Sequence, residues 1–210
     1  MTAAGEGRGT PPAIMQHPGA DNSDRHQQPA PDPLVYGGRM SYADVSPVPR
    51  QRPVEDGTES ETLTGLLDFL RATVVNKVAG LTWEQAVSTP VPPSTLTPAG
   101  VVKHLTGVER FWFSIDFAGA DLPWPWPEND PHGGFPLDPG DTLAGLVEEY
   151  VAECERSRQA IAGCSLDGRA QGSDLDFTLR YALAHMVEET ARHCGHLDLL
   201  RESIDGSRGQ

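Results

Sequence analysis

Residues 179–202 read LRYALAHMVEETARHCGHLDLLRE, and this stretch decides the fold. At about 100° per residue on a helix, Glu189 lies about 40° behind His193, His196 about 60° behind and His185 about 80° behind. Four polar groups therefore share one side of a helix with Met186 and Leu200. That side is expected to face a core. The helix should run from about Asp176 to Ile204 and stop at Asp205-Gly206. Burying four such groups costs several kcal/mol unless they pair or bind a metal.

Reach limits which of them can share an ion. His185 and His193 are eight residues apart, roughly 12 Å along the axis. Metal–ligand bonds are only about 2 Å long, so these two are not partners. Glu189 and His193, at i and i+4, have the familiar spacing of two ligands on one helix. A third ligand must come from another helix, and His104 is the only histidine on one. Two His and one carboxylate leave a position open for water or substrate, the pattern of a catalytic site. A lone inward histidine is more often a hydrogen-bonded core residue, and the residues alone leave His104 open between the two. For His185 and His196 the expectation is a supporting or surface role. Cys194, about 100° around the helix from His193, is expected to pack.

Working outward, three more helices come into view. Thr58 and Glu61 form a capping-box pattern before a helix over about Ser60–Ala79. Its stripe is Leu63, Leu66, Leu67, Leu70, Val74 and Val78, and Gly80 ends it. After the loop PVPPSTLTP, Thr97 caps and Pro98 opens a second helix to about Gly119. Its stripe is Val101, His104, Val108, Phe111 and Ile115. A long proline-rich loop, GADLPWPWPENDPHGGFPLDPG, carries Trp124 and Trp126. Loops of that length are functional or disordered, so the two rings are either a lid over substrate or mere packing. Asp141 is expected to cap a third helix to about Gly163, with Leu143, Leu146, Val147, Tyr150, Val151 and Ile161 in the core. The connection SLDGRAQGSD leads to the fourth. Four amphipathic helices without a convincing strand predict an all-α fold, a four-helix bundle over residues 58–207.

Residues 1–57 contain nine prolines and no helical or strand periodicity, which predicts a disordered extension. Met40, followed by SYADVSP, is a candidate alternative start. The net charge is −14, and the extension holds five arginines against seven acidic residues, so the acidity belongs to the bundle. Such a domain repels phosphate backbones, which argues against nucleic acid as a partner. The three cysteines, Cys154, Cys164 and Cys194, form no C-x-x-C pair. This argues against a disulfide scaffold and a cysteine zinc finger. The start has no apolar signal region and no run of 18 apolar residues exists. A cytoplasmic protein with no membrane partner is the expectation.

The stretches LTPAGVVKHLTGVERFWF (96–113), LLDFLRATVVNKVAGLTWEQA (66–86) and LRYALAHMVEETARHCGHLDLLRESIDG (179–206) resemble the DinB/YfiT-like superfamily. Within it they look most like the actinobacterial branch named after the mini-circle protein. The resemblance covers about 59–206. It implies a four-helix bundle with a metal held by a histidine of the second helix and two ligands of a late helix. Carried over, these are His104, Glu189 and His193. Many members use three histidines; Glu189 stands at the middle position, as in the mycothiol-dependent maleylpyruvate isomerases of the family.

Relatives with known activities are often thiol transferases, using bacillithiol, mycothiol or glutathione. The resemblance thus implies a divalent-metal-dependent thiol S-transferase, with zinc the first expectation and nickel the second. The co-substrates would be a low-molecular-weight thiol, mycothiol-like, and a small electrophile. Coordination deprotonates a thiol whose free pKa is about 8.5. The alternatives are a metal-dependent hydrolase or isomerase, and a non-enzymatic metal-binding stress protein. Arg180 and Arg192 either bind a carboxylate of the thiol or are solvated. A homodimer is left open.

Overall fold

The computed structural model describes residues 45–126, 135–172 and 176–209. The expectations for residues 1–44, Met40 among them, and for the middle of the tryptophan loop lie outside the described residues. α1 (Glu59–Val78) starts on the expected capping box: Glu61 N–H donates to Thr58 Oγ1 at 3.3 Å, and Thr58 N–H donates to Glu61 Oε2 at 2.8 Å. It ends before Gly80, whose φ of +73° suits glycine. A short turn, α2 (Trp83–Ala86), follows on a second capping box of Thr82 and Gln85 that the sequence expectation did not include. α3 (Pro98–Glu109) starts as expected, with Gly100 N–H donating to Thr97 Oγ1 at 3.0 Å and Pro98 in the first turn.

α3 does not run on as a plain α-helix to Gly119. From Arg110 to Phe117 it is π-helical, so its bonds span one residue more per turn and the phase of the buried face shifts. Phe113 and Phe117 are buried, whereas the expected Phe111 and Ile115 are only half-buried. Gly172 holds the far end. Its N–H donates to Asp116 O at 2.9 Å, and a Cβ there would sit 1.9 Å from Ile115 O.

α4 (Leu143–Ile161) is capped by Thr142, not Asp141. Asp141 is occupied elsewhere: it accepts from Lys103 Nζ and from Asp138 N–H, both at 2.8 Å. α5 (Leu179–Asp205) is capped by Thr178, slightly past the expected start near Asp176. Phe177 and Thr178 run antiparallel to Gly168–Ala170, with Phe177 O accepting from Ala170 N–H at 2.9 Å, and Asp176 pairs with Arg169. Gly206, at φ +76°, closes α5 where expected.

α1 packs on α5, α3 on α4, and α3 also meets α5. The described residues form an all-helical bundle around Leu67, Val74, Val78, Leu105, Leu146, Tyr150, Leu183, Met186 and Leu197. Two expected core positions face outward: Leu66 is 36% exposed and Val151 is 49% exposed. On α4 the inward positions fall instead to Glu153, Cys154 and Ser157. Residues 45–57 lie along α1: Val48 N–H donates to Asn76 Oδ1 at 2.7 Å, and Val45 packs on the core.

A buried ionic cluster ties the helices together. Arg71 of α1 donates twice to Glu109, Nε to Oε1 at 2.7 Å and Nη2 to Oε2 at 2.6 Å, and both residues are buried. Ser157 of α4 donates to Glu109 O at 3.4 Å, and Glu153 accepts from Arg110 and Arg156. Removing one member of a buried pair strands the other charge. Glu109→Ala is therefore expected to destabilise the fold by about 3–5 kcal/mol in denaturant titration.

Asp116 supplies a second check. Desolvation raises its carboxyl pKa to about 6, and its Oδ2 has no hydrogen-bond partner among the described residues. A carboxyl raised on folding contributes stability that is full below its ordinary pKa, near 4, and lost as pH rises through about 6. Asp116→Asn is expected to match the parent's melting temperature at pH 4 and exceed it at pH 8. The expected gain at pH 8 is about 2 kcal/mol.

Candidate functional site

α3 and α5 bring the three residues singled out from the sequence to one point. Thr97 caps α3, which carries His104 in its middle. On α5, the four-residue step from Glu189 to His193 puts the carboxylate one turn below the imidazole. Glu189 Oε1 lies 3.1 Å from His193 Nε2 and 3.4 Å from His104 Nε2. One ligand atom from each of the three residues lies within 4.8 Å of the others. Their side chains are 6%, 9% and 12% exposed for His193, His104 and Glu189. Hydrogen bonds from His104 and His193 hold the Glu189 carboxyl far below the usual carboxylate range, against the opposing effect of burial. Its other oxygen accepts from Arg192 Nη1 at 2.8 Å.

The donor set suits a divalent transition metal. Two imidazole nitrogens and one carboxylate oxygen are zinc-type ligands. A tetrahedral centre with bonds of about 2.0–2.1 Å has edges of about 3.3 Å. The two separations to Glu189 Oε1 are of that length before any ion is considered.

The other residues considered from sequence are placed as follows. His185 is not part of the cluster: its ring lies 4.3 Å from Trp112, and Nδ1 is 3.9 Å from Glu188. His196 stands behind His193, Nδ1 to Nδ1 at 3.3 Å, on the side of that ring away from Glu189. Burial, with His193 and Arg192 nearby, pushes the His196 pKa down. Arg180 is committed to a brace with Glu59, at 2.7 Å, and with Asp167. Arg192 pairs with Glu188 and Glu189. Cys194 packs as expected: desolvation pushes its pKa up to about 12, and its thiol points to Leu70 O.

Sequence reasoning missed Phe135. Its ring lies 4.8 Å from His104 and 5.8 Å from His193, covering one side of the cluster. It is placed by Gly100, where a Cβ would meet Phe135 O at 2.8 Å. Trp126 lies on α3 on the other side, over Gly107, where a Cβ would meet its Nε1 at 2.9 Å. Both ends of the tryptophan loop thus dock on glycines one turn either side of His104. That Gly100-His104-Gly107 spacing was the available signal. A separate cavity of about 320 Å³ lies between residues 48–51, α1 and α4; Arg71, Tyr150 and Cys154 line it, and no member of the triad does.

An all-helical bundle joined through one histidine of α3 and an E-x-x-x-H pair of α5 belongs to the DinB/YfiT-like superfamily. Within it, this chain is a member of the mycothiol-S-transferase family, which it matches over residues 62–206. Comparison with curated proteins finds no match. No helix among the described residues is long and apolar enough to cross a membrane.

Proposed function

We propose that the protein is a metal-dependent thiol S-transferase of the cytoplasm. It would use a mycothiol-like thiol and hold a divalent ion, zinc before nickel, with His104, Glu189 and His193. The observation that carries this reading is the convergence of two Nε2 atoms from different helices on one carboxylate oxygen. The family name supplies the thiol. A bound ion would lower the pKa of a coordinated thiol and so supply a thiolate at neutral pH.

The chain's own residues do the rest. His104 and His193 orient Glu189 through Oε1, while Arg192 holds Oε2. Phe135 excludes water from one side of the cluster. Burial raises the thiol pKa values of Cys154 and Cys194, so neither is a nucleophile at neutral pH. The third cysteine, Cys164, is exposed and is not part of the cluster, so the attacking sulfur is assigned to the co-substrate. His196 Nδ1 lies 3.3 Å from His193 Nδ1; with an ion bound, the His193 proton would sit on Nδ1 facing His196, and the Nε2 lone pair would be turned to the ion. The bundle from 58 to 207 carries all of these groups.

Two expectations follow. His104→Ala and His193→Ala should each lose stoichiometric metal, measured by plasma mass spectrometry on folded protein. Retention in both variants, or an ester or amide hydrolysed with no thiol consumed, would overturn the reading. His196→Ala should bind zinc about ten-fold more weakly in competition with a chelator, and His196→Gln, which restores an acceptor, should recover most of that loss.

A further inference from the structure

We propose that the mouth of the α3/α5 seam, next to the triad, binds the electrophilic co-substrate, and that this co-substrate is a flat, uncharged aromatic molecule. The proposal rests on the thiol-transfer reading above. Three of the chain's four tryptophans, Trp112, Trp124 and Trp126, gather there. The rings form one continuous run. Trp124 and Trp126 lie 5.2 and 5.3 Å from Phe111, Phe111 lies 5.6 Å from Trp112, and Trp112 spans the seam to Tyr181 at 6.0 Å and His185 at 4.3 Å.

The run leads into the triad from both helices. Tyr181, His185, Glu189 and His193 recur every four residues along one stripe of α5, about 6 Å per step. On α3, Trp126 covers Gly107, one turn from His104. The π-helical turn keeps Phe111 and Trp112 at the seam while Phe113 and Phe117 enter the core.

Packing alone does not account for the patch. Trp124 is 51% exposed and Tyr181 56% exposed, with Phe111, Trp112 and Trp126 half-buried between them, and an apolar surface of this kind beside a polar centre marks a ligand site. Its electrostatics disfavour an anion, and Arg110, next to Phe111 in the chain, is paired with Glu153. On α5, Arg180, beside Tyr181, is tied to Glu59 and Asp167, and Arg192, beside His193, to Glu188 and Glu189. The chain carries a net charge of −14. Offset stacking and edge contacts favour a planar ring over an aliphatic chain.

The test uses the full-length, zinc-loaded protein and two unreactive probes, N-(naphthalen-1-yl)acetamide and N-ethylacetamide, with binding read by tryptophan fluorescence and calorimetry. The naphthyl probe should bind at least ten-fold more tightly. Trp124→Ala and Tyr181→Ser, at half-exposed positions that do not threaten folding, should each weaken it about three-fold or more, with metal content unchanged. The anionic naphthalene-1-acetate should bind more weakly than the neutral probe. The corresponding chloroacetamides then test turnover with mycothiol: the S–C bond forms as C–Cl breaks, chloride leaves, and the thiol proton passes to solvent. The naphthyl compound should show the higher kcat/KM.

Equal binding of the two neutral probes, or binding untouched by both substitutions, overturns the proposal even if thiol transfer proceeds. A naphthyl preference that both substitutions reduce, without any thiol consumption, upholds the aromatic site and overturns the transferase reading instead.

Discussion

The arrangement depends on one buried ion pair, Arg71 with Glu109. A guanidinium and a carboxylate out of water add little net stability, because desolvation offsets their attraction. What they fix is register. Glu109 is the last residue of α3 before the π-helical turn, and two parallel bonds to α1 allow it one azimuth only. Upstream, that azimuth directs His104 at α5. Downstream, the wider turn brings Phe113 and Phe117 inward and leaves Phe111 and Trp112 at the seam. One constraint thus sets both the polar cluster and the aromatic surface beside it.

The helices were legible in the sequence because their signals are local. Thr58-x-x-Glu61 and Thr97-Pro98 are caps whose bonds close within three residues, and both form as read. The stripe of α5 was equally plain, since Met186 and Leu200 share a face with His193 and all three are buried. That face put Glu189 and His193 together, and the rise along the axis, roughly 12 Å over eight residues, kept His185 from sharing an ion with His193. The sequence spacing did not determine how the third partner meets them, because the distance from His104 to Glu189 depends on how two helices cross.

Where the reading failed, a distant partner had outbid a local rule. Asp141 is a better cap than Thr142 on propensity, yet Lys103 of α3 and the Asp138 N–H claim it. Asp176, near the expected start of the last helix, likewise pairs with Arg169, and the helix begins past it on the Thr178 cap. The π turn leaves no compositional mark; RFWFSIDF reads as ordinary helix, and the phase change rests on the Glu109 anchor and on Gly172 docking against Ile115 and Asp116. Phe135 escaped notice because its role is written in another element, in the bare backbone of Gly100.

Charge balance gives the triad its chemical sense on the proposed reading. Two neutral imidazoles and one carboxylate form a donor set with one negative charge. A divalent ion with three neutral ligands would leave two positive charges in a largely buried site; Glu189 reduces this to one, and a coordinated thiolate cancels it. A neutral assembly is the least costly to hold out of water. Arg192, half-exposed on the Glu189 Oε2 side, steadies the carboxylate from solvent, where its own charge is screened. Among the described residues, the run of side chains leading from the site along α3 and α5 is aromatic. A site that becomes neutral when the thiolate binds, opening onto uncharged rings, is matched to an apolar electrophile rather than a charged one.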